Sequence, residues 1–122
     1  MLEPRLEEFV QLFNRKEFFE AHEVLEGLWL ESLPPTKDFY KGLIQCAVAF
    51  VHLQRNNFRG AKKLFRTATG YLRCYLPVYE GIDTGKLLRD FETFFATLVV
   101  DAEQRGCPVN VATEKTPLIS SL

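Results

Sequence analysis

The sequence has few of the residues from which metal and redox sites are built. Its 122 residues include two histidines, three cysteines and one tryptophan. Cys46, Cys74 and Cys107 lie far apart, without the short paired spacing of zinc sites or redox motifs. The composition therefore predicts reduced thiols, no metal ion and no other cofactor.

Long apolar runs and the sequence pattern of a signal peptide are also missing. No apolar run approaches the roughly 20 residues that span a bilayer, and residues 1–15 lack the basic flank, apolar core and small-residue cleavage site of a signal peptide. Hydrophobic residues make up 47% and charged residues 25%, a balance typical of an ordinary globular domain. We therefore expect one cytoplasmic domain without a membrane partner.

Familiar catalytic motifs are absent as well. No serine stands in a Gly-x-Ser-x-Gly turn, and there is no His-Glu-x-x-His zinc motif. The paired Glu-x-x-His motifs of di-iron bundles are also lacking. These absences argue against nucleophilic and metal-dependent catalysis.

The apolar residues that are present recur with the period of helices, and no long segment alternates as a strand does. The expected helices cover about residues 4–14, 17–31, 36–55, 58–75 and 84–106, with Thr36 capping the third and Asp83 or Thr84 the fifth. Short connections make neighbouring helices antiparallel. The sequence thus predicts an all-α fold, a compact bundle of about five antiparallel helices with helical-hairpin, tetratricopeptide-like packing. This single domain is expected over residues 1–108, with a turn-rich loop at 77–85, no sheet and an extended C-terminal tail over 109–122.

The second and fourth helices repeat one apolar pattern at a distance of forty residues. The matching residues are Phe18, Ala21, Val24, Leu25 and Leu28 in one helix and Phe58, Ala61, Leu64, Phe65 and Ala68 in the other. Such spacing is compatible with two stacked helix-turn-helix units. Shared amphipathic patterning is the simpler explanation.

Polar side chains interrupt the apolar faces of the second and third helices. His22 and Glu26 fall within an apolar arc of the second helix, near Trp29, and Gln45 and His52 form a stripe on the third. If the two stripes face each other, these residues form a polar pocket in the core. Buried polar groups must be hydrogen-bonded, hold water or bind something.

This predicted pocket has three interpretations. The first is a binding site for a small molecule or a partner protein, built by His22, Glu26, Trp29, Gln45 and His52, and it is our leading hypothesis for function. The second is a structural network that fixes the register of the helices. The third is a hydrolase or metal-assisted enzyme that uses His22 or His52 as a base, with Glu26 orienting it.

Charge is distributed unevenly along the chain. Residues 1–38 hold nine acids and four bases, residues 39–78 seven bases and no acid, and residues 79–122 seven acids and four bases. A basic face on the fourth helix could bind an anion or nucleic acid, which ranks last among our functional hypotheses. The residues of this face are Arg59, Lys62, Lys63 and Arg66. The alternative is a solvated outer face beside acidic neighbours.

Two motifs link the chain to a known family. The His-Glu-x-x-Glu-x-x-Trp motif starts at His22, and Gly-Leu-Ile-Gln starts at Gly42. Over roughly residues 8–75 the chain resembles a prokaryotic all-helical family catalogued as domain of unknown function number three hundred and nine. The family's signature falls on His22, Glu23, Glu26, Trp29, Gln45, His52, Asn57, Gly60 and Ala61. The resemblance implies a helical fold and a shared polar pocket, but no activity.

Overall fold

Helices account for most of residues 2–122, the part of the chain that the computed structural model describes. They are α1 (Pro4–Asn14), α2 (Phe18–Glu31), α3 (Thr36–Gln54), α4 (Phe58–Leu72), α5 (Thr84–Phe94) and α6 (Val100–Arg105). A 3₁₀ turn, Arg73–Tyr75, extends α4, and a π-helical segment, Phe95–Val99, joins α5 to α6 without a break. The predicted all-α fold is confirmed. None of these helices is long and apolar enough to cross a membrane.

Helix α3 packs against α2 on one side and α4 on the other. The ring of Phe18, at the start of α2, stacks on Phe50 near the end of α3 with centroids 4.7 Å apart. At the opposite ends of the same two helices, the Lys37 ammonium lies 4.7 Å from the centroid of the Trp29 ring. The two helices therefore run antiparallel. Helix α4 approaches α3 closely at Gly42, where an added Cβ would lie 3.0 Å from Leu72 Cδ2.

The centre of the core is the ring of Phe50, which is fully buried. Rings from four other helical segments surround it at centroid distances of 4.7 to 6.2 Å. These rings belong to Phe13 of α1, Phe18 of α2, Phe91 and Phe94 of α5, and Phe95 of the π segment. Edge-to-face and offset aromatic pairs stabilise a core beyond the burial of their area. One side chain of α3 thus joins both halves of the bundle.

The pattern that recurs after forty residues includes the backbone of the turns before α2 and α4. Lys16 and Asn56 both adopt the left-handed conformation, with φ of 66° and 57°. In the first turn the Glu17 amide donates to the carbonyl of Leu12 at 2.9 Å, and in the second the Asn57 amide donates to His52 at 2.8 Å. Each is the long hydrogen bond of a Schellman motif, which ends one helix and reverses the chain. The α1–α2 and α3–α4 hairpins are therefore built on the same turn.

The two turns differ in how the following helix is capped. Asn57 Oδ1 accepts a hydrogen bond of 3.0 Å from the Gly60 amide, so Asn57 caps α4. Glu17, the equivalent residue before α2, makes no side-chain capping hydrogen bond. Gly60 leaves room for the cap, because an added Cβ would lie 2.6 Å from Asn57 Nδ2.

The segment between α4 and α5 corrects the prediction that the protein has no sheet. Strands β1 (Val78–Tyr79) and β2 (Ile82–Asp83) form an antiparallel hairpin within the predicted loop. The turn between them places Glu80 and Gly81 at φ of 50° and 78°, which matches the twist of a two-residue hairpin. Strands of two residues are too short to show an alternating pattern.

Of the predicted helix caps, the one at α5 is confirmed and the one at α3 is wrong. Asp83 Oδ1 accepts a hydrogen bond of 3.0 Å from the Lys86 amide and caps α5 as expected. The prediction for Thr36 is wrong, because it is already the first residue of α3 and its hydroxyl bonds to the Tyr79 hydroxyl at 2.8 Å. The Thr36 side chain therefore contacts the β-hairpin instead of capping the helix.

The tail over residues 109–122 packs on the helical body. Val109, Val111 and Ile119 are buried. The Asn14 side chain makes two hydrogen bonds to the backbone of Ile119, of 3.0 and 2.8 Å. Ser121 forms a β-bridge with Ile82. The tail thus connects the end of α1 to the β-hairpin.

We predict that Phe50→Ala lowers the free energy of unfolding by about 3 to 5 kcal/mol, the usual cost of truncating a buried phenylalanine. Phe19→Ala is the matched control, since Phe19 is 43% exposed, and it should cost less than about 1 kcal/mol. Urea unfolding followed by circular dichroism measures both. Equal losses would show that Phe50 is not the centre of the core.

Removal of the side chain before each helix should lower the stability of the protein at the second turn but not at the first. Asn57→Ala should lower stability by about 1 kcal/mol, because the Gly60 amide loses its acceptor. Glu17→Ala removes the equivalent side chain, which makes no capping bond, and should be nearly neutral. A comparable loss in both variants, measured by thermal unfolding, would contradict the assignment of the cap.

Candidate functional site

His22 lies half-buried on the flank of α2. Its Nδ1 is hydrogen-bonded to the carbonyl oxygen of Phe19, and the edge of its ring meets the Phe19 ring, with centroids 4.9 Å apart. Because a carbonyl oxygen only accepts, Nδ1 is the donor in this contact. Among the described residues, no carboxylate is hydrogen-bonded to this ring.

His52 lies at the end of α3 and faces α4. Its Nδ1 is 3.1 Å from Asn57 Nδ2. Because Asn57 Oδ1 is the acceptor that caps α4, the Asn57 amide nitrogen is the donor to His52. His52, Asn57 and Gly60 therefore form one hydrogen-bonded turn, and the next residue, Ala61, is fully buried. Three of the nine predicted signature residues thus have a structural explanation.

Trp29 and Gln45 carry buried polar atoms that lack a partner. In the described part of the chain, Trp29 Nε1 and Gln45 Oε1 are closed off from solvent without any hydrogen bond. Most buried polar atoms are paired, so each exception needs an explanation such as a bound water or ligand. The Lys37 ammonium over the Trp29 ring adds a cation–π contact between the start of α3 and the end of α2.

The predicted core pocket does not form as one cluster. No hydrogen bond joins any two of His22, Glu26, Gln45 and His52. The expectation that Glu26 lies in an apolar arc is wrong, because its side chain is exposed. The buried face of α2 is centred on Ala21 and Leu25, which places Glu26 about 120° away. Since α3 has neighbours on both sides, its polar stripe reaches α4 at His52 rather than α2.

Two clefts lie elsewhere, and none of the five predicted binding residues lines either of them. One, of about 600 Å³, lies between α5 and the tail, and the other, of about 540 Å³, lies between the start of α3 and the end of α4. Residues 2–122 contain no group of three or more histidine, cysteine or acidic side chains that could hold a metal ion. Cys46 is fully buried, and this burial raises the pKa of its thiol.

Acidic residues of α5 and α6 pair with one residue of the basic face of α4 and with Arg73 in the 3₁₀ turn that extends this helix. Lys62 forms an ion pair with Glu103 at 2.7 Å, and Arg73 forms one with Glu92 at 2.6 Å. Arg59, Lys63 and Arg66 have no ion pair among the described residues.

The exposed side of α2 carries large apolar residues that are not among the predicted binding residues. Phe19 and Leu30 are 43% and 65% exposed, and Leu33, just after the helix, is 79% exposed. The residues Phe19, Glu23, Glu26 and Leu30 follow the spacing i, i+4, i+7 and i+11, so they lie in one line on the helix surface. We call these four residues the α2 stripe. Their spacing was visible in the sequence, but exposure could not be read from it.

Comparison with known proteins finds one relevant family and one curated relative. Residues 6–64 match the family model described as "Domain of unknown function (DUF309)". The chain is similar to the "Uncharacterized protein YpuF" of Bacillus subtilis (strain 168), with 30% identity over 109 residues. That alignment covers 87% of the chain and 63% of the relative, so the chain spans less than two thirds of the relative's length.

No solved structure matches the chain. The matched region extends from α1 into α4 and contains both turns and all nine signature residues. The family model over residues 6–64 and the bacterial relative confirm the resemblance of the chain to the prokaryotic DUF309 family.

Proposed function

We propose that the protein is a cytoplasmic, non-enzymatic binding module that docks a basic, amphipathic helix of a partner protein on the α2 stripe. The observation that carries the proposal is the exposure of large apolar side chains at both ends of this stripe, with two carboxylates between them. Amphipathic helices are recognised through apolar anchors spaced along one face, and charged groups between the anchors add specificity.

The charges of the stripe define the partner. Glu23 and Glu26 are exposed and have no ion pair among the described residues. Glu31 differs, because Arg5 donates to both of its carboxylate oxygens, at 2.6 and 3.2 Å, and this hydrogen bonding lowers the pKa of Glu31. The free carboxylates therefore lie in the middle of the stripe, where a partner would place lysine or arginine.

The length of the stripe sets the spacing on the partner. Phe19 and Leu30 are eleven residues apart, which corresponds to about 16 Å along a helix. A partner helix would meet them with two apolar residues about three turns apart, and would place its basic residues between them. Trp29 and His22 lie beside the stripe, so both would become less exposed when the site is filled.

The surroundings of the two histidines support a binding role over a role as an enzyme. His52 is held in the turn before α4, and His22 has no carboxylate partner among the described residues. The pairing that general acid–base chemistry uses is therefore lacking on both rings. All three cysteines are free, which agrees with a reducing compartment.

We predict that a basic helical peptide binds and that its acidic counterpart does not. The probe is an alanine- and glutamine-based peptide with Leu, Arg, Arg and Leu at positions i, i+4, i+7 and i+11. Fluorescence of Trp29, the one tryptophan of the chain, should report saturable binding with a Kd of roughly 10 to 100 µM. The same peptide with glutamate in place of arginine should bind at least about ten times more weakly, a difference of about 1.4 kcal/mol.

Variants locate the site. The double change Glu23→Gln and Glu26→Gln should weaken binding about tenfold and flatten its dependence on salt, since two charge contacts are lost. Leu30→Ser should weaken binding while leaving the salt dependence intact. Glu7→Gln with Glu8→Gln, on α1, is the matched control and should change neither quantity. Equal affinity for the two peptides, or binding by neither, would refute the proposal.

A further inference from the structure

The cleft between α5 and the tail has the properties of a small-molecule site. We propose that it binds a neutral aliphatic molecule that carries a single hydroxyl or carbonyl group, of the class of medium-chain alcohols. Its volume of about 600 Å³ lies within the range of ligand sites in proteins. This site is separate from the α2 stripe, and neither proposal depends on the other.

One wall of the cleft is formed where the helix is irregular. Thr97 and Leu98 line the cleft and belong to the π-helical segment Phe95–Val99. Within this wall, the Thr97 hydroxyl donates to the Thr93 carbonyl at 2.7 Å. π-Helical turns are rare and occur often at functional sites. The wide turn changes the direction of side chains that a regular helix would place elsewhere.

The opposite wall contains a buried hydroxyl without a partner. Thr116 lines the cleft and is only 5% exposed, and its Oγ1 makes no hydrogen bond within the described chain. A buried hydroxyl that is left unpaired destabilises the folded state. Oγ1 itself is closed off from solvent, so a rotation about the Cα–Cβ bond of Thr116 would bring it to the cleft. A ligand with one polar group would then satisfy this hydroxyl, since Oγ1 can both donate and accept.

The remaining lining defines the rest of the ligand. Phe94, Leu98, Pro117 and Leu118 form an apolar surface, and Leu118 remains 47% exposed. An aliphatic chain would cover this surface and remove it from water.

The charged groups at the cleft cancel one another. Lys86 is paired with Asp90 at 3.2 Å, and the neighbours Glu114 and Lys115 also line the cleft. With equal numbers of positive and negative groups, the site has no net charge with which to attract an ion. The lining therefore favours a neutral ligand over a carboxylate or an amine.

The test compares three probes of the same chain length, 1-octanol, octanoate and octylamine, by titration calorimetry and by shifts of backbone amide signals. We expect 1-octanol to bind most tightly and to shift the signals of Thr97, Leu98 and Thr116. Equal affinity for all three probes, or shifts spread over the whole surface, would overturn the proposal.

Replacement of Thr116 tests whether its unpaired hydroxyl contacts a ligand or is only an unsatisfied buried group. Thr116→Val keeps the shape of the side chain, so it should raise the melting temperature of the free protein and weaken 1-octanol binding at least fivefold. Thr113→Val, on the same tail but outside the cleft, should leave the affinity unchanged. A raised melting temperature with unchanged affinity, or a lowered melting temperature, would overturn the proposal.

A second variant does not rely on the hydroxyl. Leu118→Ala shortens an exposed side chain, so the fold should be retained while 1-octanol binds several-fold more weakly. Unchanged affinity in this variant would show that the probe does not occupy the cleft.

Discussion

The contact of five phenylalanine rings with Phe50 is the interaction on which the rest of the structure depends. The rings come from α1, α2, α5 and the π segment, so a single residue of α3 holds helices from both ends of the sequence. Protein interiors are packed as densely as organic crystals. The positions of α1, α2 and α5 are therefore fixed relative to α3, and this rigidity determines which side of α2 remains exposed.

The turns between α1 and α2 and between α3 and α4 have the same backbone conformation but different roles. In the first hairpin, the left-handed residue is Lys16, whose ammonium donates to the carbonyls of Ala112 and Glu114 in the tail. In the second hairpin, the left-handed residue is Asn56, and the neighbouring Asn57 caps α4 and binds His52. The backbone of both turns is the same, but one turn holds the tail and the other fixes the start of a helix. Three residues of the predicted signature, His52, Asn57 and Gly60, take part in this second use.

Much of the fold could be predicted from the sequence, because helical period and turn residues are local signals. The bounds of α1 to α4, the cap at Asp83 and the central position of α3 follow from such signals. The β-hairpin could not be predicted, since its strands of two residues are stabilised by the twist of their turn and by Ser121 of the tail. The π segment likewise has no pattern of its own in the sequence.

The candidate site was harder to predict than the fold. A helical wheel shows that His52 lies on a flank of α3, but it does not show that α4, rather than α2, covers that flank. The same limit applies to Glu26, whose exposure depends on where α3 meets α2. The cleft beside Thr116 brings α5 together with a segment about twenty residues further along the chain, so no local pattern could indicate it.

The side-chain amide of Asn14, at the end of α1, makes the two hydrogen bonds that a neighbouring β-strand would make. Its nitrogen donates to the carbonyl of Ile119 and its oxygen accepts from the amide of the same residue, as the backbone of a paired strand would. The two residues are separated by 105 positions, so this contact closes one of the longest loops in the chain. Long loops carry the largest entropic cost of closure, and contacts of this kind slow folding. The helical hairpins can thus form from local contacts, whereas the cleft wall requires that the tail has already reached Asn14.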